Sequence, residues 1–183
     1  MTLLIIFLYT GSVLLPIKAL LLNILSLSAT LGMLVWVFQD GHLMWLTGDF
    51  EITGTVDLSS IALVAVVAFA LSMDYELFLL SRIKEEHDAG HDTEDSVAFG
   101  LQRTGRIITA AALLIAIVFA SFLSSGVTNI KQLGFGAAFA ILIDATLVRS
   151  ILVPTFMRVA GEANWWAPSW LRRVHGRIGL REG

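Results

Sequence analysis

Apolar residues run along this chain in long blocks, neither alternating nor confined to one stripe. No ionisable residue lies between Ala19 and Gln39, and none between Ile107 and Ile130. Each block matches or exceeds the roughly 20 residues that cross a bilayer as a helix. The pattern predicts five spans, at about residues 2–15, 19–38, 58–81, 107–122 and 131–159. The first is short and ends at Pro16 with Lys18 just beyond, which predicts a tight turn there. A polar stretch from Gln39 to Asp57, holding Asp40, Asp49 and Glu51, separates the second span from the third. Pro154 is expected to stop or kink the last turns of the fifth. Between spans three and four, Asp92 or Thr93 is a candidate N-cap for a short helix through Val97, Leu101 and Gln102. The expected fold is all-α: a polytopic membrane bundle of about five transmembrane helices over residues 1–160, then an interfacial or cytoplasmic tail, 161–183.

Composition strengthens that reading. The 183 residues are 56% hydrophobic and 15% charged, where soluble domains carry about 25% charge. A net charge of −3 gives no bulk affinity for nucleic acid. Without cysteine, disulfide frameworks and thiolate metal sites are excluded. The N-terminus has neither a basic region nor a small-residue cleavage site, so it does not read as a signal peptide. Lys and Arg near span ends set orientation. Lys18, Arg82, Lys84, Arg103, Arg106, Arg149, Arg158 and the tail arginines fall on one side, and Lys131 alone on the other. That places the C-terminus in the cytoplasm and the Gln39–Asp57 loop outside. The tail sequence Asn164-Trp165-Trp166-Ala167-Pro168-Ser169-Trp170-Leu171-Arg172-Arg173 suits the headgroup interface, where indole rings bury and arginines meet phosphates.

Charges inside the spans carry the candidate chemistry. Asp74 lies eight residues before Arg82, roughly 12 Å deeper along a helix. Burying an aspartate near a span centre costs about 2.5–3.5 kcal/mol on insertion scales, so such a residue reads as functional by default. Asp144 is the second case. Its flank, Phe139-Ala140-Ile141-Leu142-Ile143-Asp144, echoes Phe69-Ala70-Leu71-Ser72-Met73-Asp74. Spans three and five run in the same direction, so the two carboxylates reach comparable depth and can line a shared polar pathway. Tyr75 offers a phenol to hold or protonate a neighbouring acid. Arg149 either pairs with Asp144 or Asp74, or snorkels at the span end. Glu76 points away from Asp74, toward Arg103 or Arg106. Gly32, Gly134 and Gly136 read as packing glycines. His87, Asp88, His91 and Asp92 sit in a polar loop without a third ligand at a recognisable spacing, so no metal site is expected. No nucleophile elbow, phosphate loop or zinc helix appears, and an enzyme is not expected.

The segment Ser72-Met73-Asp74-Tyr75-Glu76-Leu77-Phe78-Leu79-Leu80-Ser81-Arg82-Ile83 strongly resembles the MMPL family of RND-superfamily transporters. So do Arg103-Thr104-Gly105-Arg106-Ile107, Ile130-Lys131-Gln132-Leu133-Gly134-Phe135-Gly136 and Asp144-Ala145-Thr146-Leu147-Val148-Arg149, with Leu15-Pro16-Ile17-Lys18-Ala19 and Asn164-Trp165-Trp166-Ala167-Pro168 beside them. Gly11 before Ser12 departs from the family pattern, which often has arginine there. The resemblance implies twelve spans in two similar halves, each half with an extracytoplasmic porter domain, coupling proton entry to export of lipids, siderophores or other hydrophobic molecules. This chain looks like spans 8 to 12. By resemblance, Asp74 and Tyr75 match the aspartate–tyrosine pair of the proton relay, and Asp144 and Arg149 match charged positions that support it.

The resulting expectation is the C-terminal part of an exporter of lipids or other hydrophobic molecules in the cell membrane. It is driven by the proton gradient with no cofactor, and supplies half of the intramembrane relay. Its implied partners are membrane lipids, a hydrophobic substrate, and the N-terminal transmembrane half with porter domains, or a second copy of the chain. The alternatives are a truncated, non-transporting membrane scaffold and a passive proton channel.

Overall fold

The computed structural model describes residues 2–50, 55–169 and 171. In chain order it contains α1 (Thr2–Thr10), α2 (Leu14–Leu34) with a π-helical extension Val35–Gln39, and the single turn α3 (Met44–Thr47). Then come α4 (Leu58–Asp88), α5 (Thr93–Ala120) ending in a 3-10 turn Ser121–Ser124, and α6 (Thr128–Ile143). A π-helical segment, Asp144–Leu152, joins α6 to α7 (Val153–Ala160), and a 3-10 turn follows at Gly161–Trp165. No strand occurs among the described residues. Four helical stretches are long and apolar enough to cross a membrane: Leu14–Gln39, Leu58–Asp88, Thr93–Ser124 and Thr128–Trp165. The shortest has 26 residues, about 39 Å at 1.5 Å per residue, against a hydrocarbon core of about 30 Å.

The expected first span resolves differently. Its helix is the nine-residue α1, and the break falls at Gly11, which takes φ +68°, a left-handed value that glycine adopts without steric cost. Ser12 then caps α2: its Oγ accepts from the backbone N–H of Leu14 and Leu15 at 3.1 and 3.4 Å. Pro16 therefore does not end the first helix. It sits in the first turn of α2, where a missing N–H has no partner to lose, and Lys18 belongs to that helix.

The expected short helix after residue 92 is the start of α5, which runs unbroken from Thr93 to Ala120. Asp92 caps it, its Oδ1 accepting from the Asp95 N–H at 2.8 Å. At the other end of the chain, Pro154 cannot donate to Ser150 and its ring crowds that carbonyl. The wider π-helical turns just upstream accommodate this, with the helix continuing rather than stopping.

The chain divides into two compact units. One comprises residues 24–72 and 107–146. Its core joins Leu34, Val37, Phe38, Val64 and Phe135, with a smaller cluster of Ala112, Ile141 and Ala145 beside Leu71, Ile115 and Phe119. Gly134 lets α6 press against the Phe119 carbonyl and Phe122, and Gly136 admits Val64 and Leu34. Gly32 has open space around it and is not a packing glycine. Outward, α5 shows Ile107, Leu113, Leu114, Ile117 and Val118, the apolar exterior that lipid requires.

The other unit comprises residues 1–23, 73–106 and 147–183. The tail is tied down within it. Asn164, fully buried, donates its Nδ2–H to the carbonyls of Met157 and Gly161 at 2.6 and 2.7 Å, and its own carbonyl accepts from Ser12 Oγ. Trp165 stacks on His87 with ring centroids 4.1 Å apart and donates its Nε1–H to Thr93 Oγ1 at 3.0 Å. Trp165 thus anchors the tail to protein instead of lipid, while Trp166 is exposed. Trp170, Arg172 and Arg173 lie outside the described residues.

Candidate functional site

Asp144 opens the π-helical segment and is only 5% exposed. The hydroxyl of Ser72, on α4, donates to its Oδ1 at 2.7 Å. Both residues belong to the unit of residues 24–72 and 107–146. Ala145, the next residue, packs in an apolar cluster with Ala112 of α5 and Ile141 of α6, and Ile115 lies against it. A carboxyl in such surroundings depends on its hydrogen bonds, because hydrocarbon gives it no water. Ser72 was not among the residues singled out from the sequence. Its signal was available: a hydroxyl in an otherwise apolar span, two residues from an aspartate.

Those two residues explain where Asp74 goes. Positions two apart on a helix point about 200° from one another. With Ser72 turned inward, Asp74 is directed outward, and it is exposed. Its carboxylate makes no hydrogen bond or ion pair with any described residue. The structure therefore buries one of the two expected carboxylates and presents the other.

Arg149 and Tyr75 meet in the second unit. Arg149, 3% exposed, holds its guanidinium carbon 5.2 Å from the centre of the Tyr75 ring, within the roughly 6 Å of a cation–π contact. It does not snorkel to the surface. Nine residues of π-helix carry both Asp144 and Arg149. Such turns are rare, and they are frequent at functional positions.

Glu76 corrects the sequence expectation. It is 4% exposed, and a cation in its electrostatic reach is Lys18 of α2. Arg103 instead bridges Glu86 Oε1 at 2.7 Å. Lys18 is itself buried, at 7% exposure, and its Nζ has no hydrogen-bond partner. The signals for this were Ser12 and Pro16, which start α2 ahead of Lys18 and carry the lysine into the helix. On the far side of the sequence, Lys131 is also buried and donates to the carbonyls of Thr47 and Asp49, both at 2.9 Å. His87 and His91 serve packing: His91 lies 3.4 Å from Glu86, and His87 stacks on Trp165.

Comparison with known proteins matches the MMPL family over residues 1–179. The chain belongs to the MMPL family. Relatives include a membrane protein of Streptomyces coelicolor, 49% identical over 176 residues, covering 96% of this chain and 25% of that protein. The trehalose monomycolate exporter MmpL3 of Mycobacterium tuberculosis is 46% identical over 182 residues, 99% of this chain and 19% of the exporter. The mycolic acid-containing lipids exporter MmpL11 of Mycolicibacterium smegmatis is 43% identical over 163 residues, 89% of this chain and 17% of its own length. This MMPL chain therefore spans a quarter or less of the curated relatives it matches. Family membership and four helices of spanning length make it a multi-pass membrane protein.

Proposed function

We propose that this MMPL chain forms part of a proton-driven exporter of lipids or other hydrophobic molecules in the cell membrane, with its C-terminus in the cytoplasm. Asp74, Tyr75, Asp144 and Arg149 are its intramembrane proton relay, and the proton gradient is its energy source, with no resident cofactor. The observation that carries the reading is the division of labour between the two aspartates. Asp144 is held inside by Ser72, while Asp74 is exposed on a spanning helix with no partner among the described residues. A carboxylate left bare in hydrocarbon costs about 2.5–3.5 kcal/mol. It is at home only against a polar group from another helix bundle. The N-terminal transmembrane half and porter domains of an MMPL transporter would supply that group, or a second copy of the chain. The exporter names of MmpL3 and MmpL11 support lipid as the substrate class. At hydrocarbon depth a protonated Asp74 is neutral, and an ionised one seeks a cation or donor. Alternating between those states is how the helix would be driven to move against its partner.

The test co-expresses the chain with the N-terminal half of a relative and follows proton uptake into vesicles under an imposed pH gradient. Wild type is expected to take up protons, and Asp74→Asn at equal expression is expected to lose uptake. Equal uptake by the two would make the aspartate structural and the chain a scaffold. Uptake that persists undiminished without any export substrate would identify a passive proton channel.

A further inference from the structure

We propose that Ser72 is a positioning residue for the Asp144 carboxyl, serving both of its protonation states during proton transfer; this rests on the relay reading above. The geometry is a 2.7 Å contact from Ser72 Oγ to Asp144 Oδ1, with both side chains at least nine-tenths buried. A hydroxyl carries one donor and two acceptor lone pairs. Toward an ionised Asp144 the Ser72 O–H donates. Toward a protonated Asp144 the same oxygen accepts the carboxyl O–H, after a rotation about a single bond. No other side chain of that size satisfies both states without a backbone movement: alanine does neither, and a cysteine thiol donates weakly.

The surroundings make this contact consequential. From Leu58 to Ser72 on α4 and from Ile107 to Ala120 on α5 there is no ionisable side chain. Ala112, Ile115 and Leu71 pack in the cluster with Ala145, the residue after Asp144. The charged groups closest along the two helices are Asp74, two residues past Ser72, and Arg149, five residues past Asp144. Ser72 thus supplies a close, directional hydrogen bond from a stretch of α4 that carries no charge of its own. Asp144 also begins the π-helical segment that carries Arg149. Its orientation is therefore fixed by Ser72 from one side while the helix beyond it changes register.

The experiment uses the chain co-expressed with the N-terminal half of a relative, purified and reconstituted in lipid. Infrared difference spectra against Asp144→Asn assign the carbonyl stretch of the protonated Asp144. Ser72→Ala is expected to raise that frequency, because the carboxyl loses its hydrogen bond, and Ser72→Thr is expected to keep it. In parallel, proton-driven flux falls about tenfold in Ser72→Ala, the lower end of what a hydrogen bond to a charged group carries. Its pH profile is displaced, and threonine restores both. A stretch that is unchanged in Ser72→Ala would overturn the contact, and unchanged flux would overturn its role, each leaving the exporter reading intact. A shifted stretch with no proton-driven flux in wild type would overturn the exporter reading itself, and with it the transport role of Ser72.

Discussion

Substituting Gly134 by alanine isolates a close helix approach in the membrane bundle. A Cβ built there meets the Phe119 carbonyl oxygen and the Phe122 Cβ, each at 2.6 Å. Ordinary contact begins at 3.4 Å, so α6 must retreat by about 0.8 Å. Neither obstacle swings away, because one is backbone and the other is bonded directly to it. Overpacking of this kind costs about 1–3 kcal/mol. A glycine-to-alanine change also favours a helix by about 1 kcal/mol, which masks part of the clash. Gly32→Ala supplies the control, since that glycine is also helical and has nothing within 4 Å. The propensity gain is shared and cancels in the difference. Gly134→Ala is therefore expected to be less stable than Gly32→Ala by about 1–3 kcal/mol, roughly 2–12 °C in midpoint for a chain of this size. Thermal unfolding of the purified protein in one detergent, followed by tryptophan fluorescence, reads this directly. Midpoints within a degree of each other would refute the close approach.

Two further outcomes follow from buried cations. Lys131→Met removes two hydrogen bonds from an ammonium to the carbonyls of Thr47 and Asp49. At about 1.5 kcal/mol or more each, amide exchange across residues 43–49 should speed up at least tenfold by mass spectrometry, and unchanged protection would mean the loop is held elsewhere. Glu76→Gln should destabilise the bundle by about 3–5 kcal/mol, because it takes a counter-charge from the buried Lys18 ammonium, and Lys18→Met should destabilise it as well. The double variant should recover about 0.5–3 kcal/mol of the sum in unfolding midpoints; strict additivity would show that the two charges do not act on each other.

The sequence alone determined the class of this protein. Uncharged blocks longer than a bilayer is thick, beside 15% charge overall, leave only a helical membrane bundle, since every backbone group in lipid must bond within its own segment. The motif around Asp74 and Tyr75 pointed to the family, and the span positions of Asp74 and Asp144 placed them at depth by counting residues. Depth follows from rise per residue, so it is written in the chain. Direction around the helix is not. In a span apolar on all sides there is no stripe to mark which face turns inward, so Asp74 and Asp144, with flanks that echo each other, looked equivalent. Tertiary structure separated them: α4 spends its inward face on Ser72, which meets Asp144, and Asp74 is left exposed. The same limit hid Lys18 beside Glu76 and set Arg149 on the Tyr75 ring. Those contacts join residues dozens of positions apart, and only the packing of one helix against another decides them.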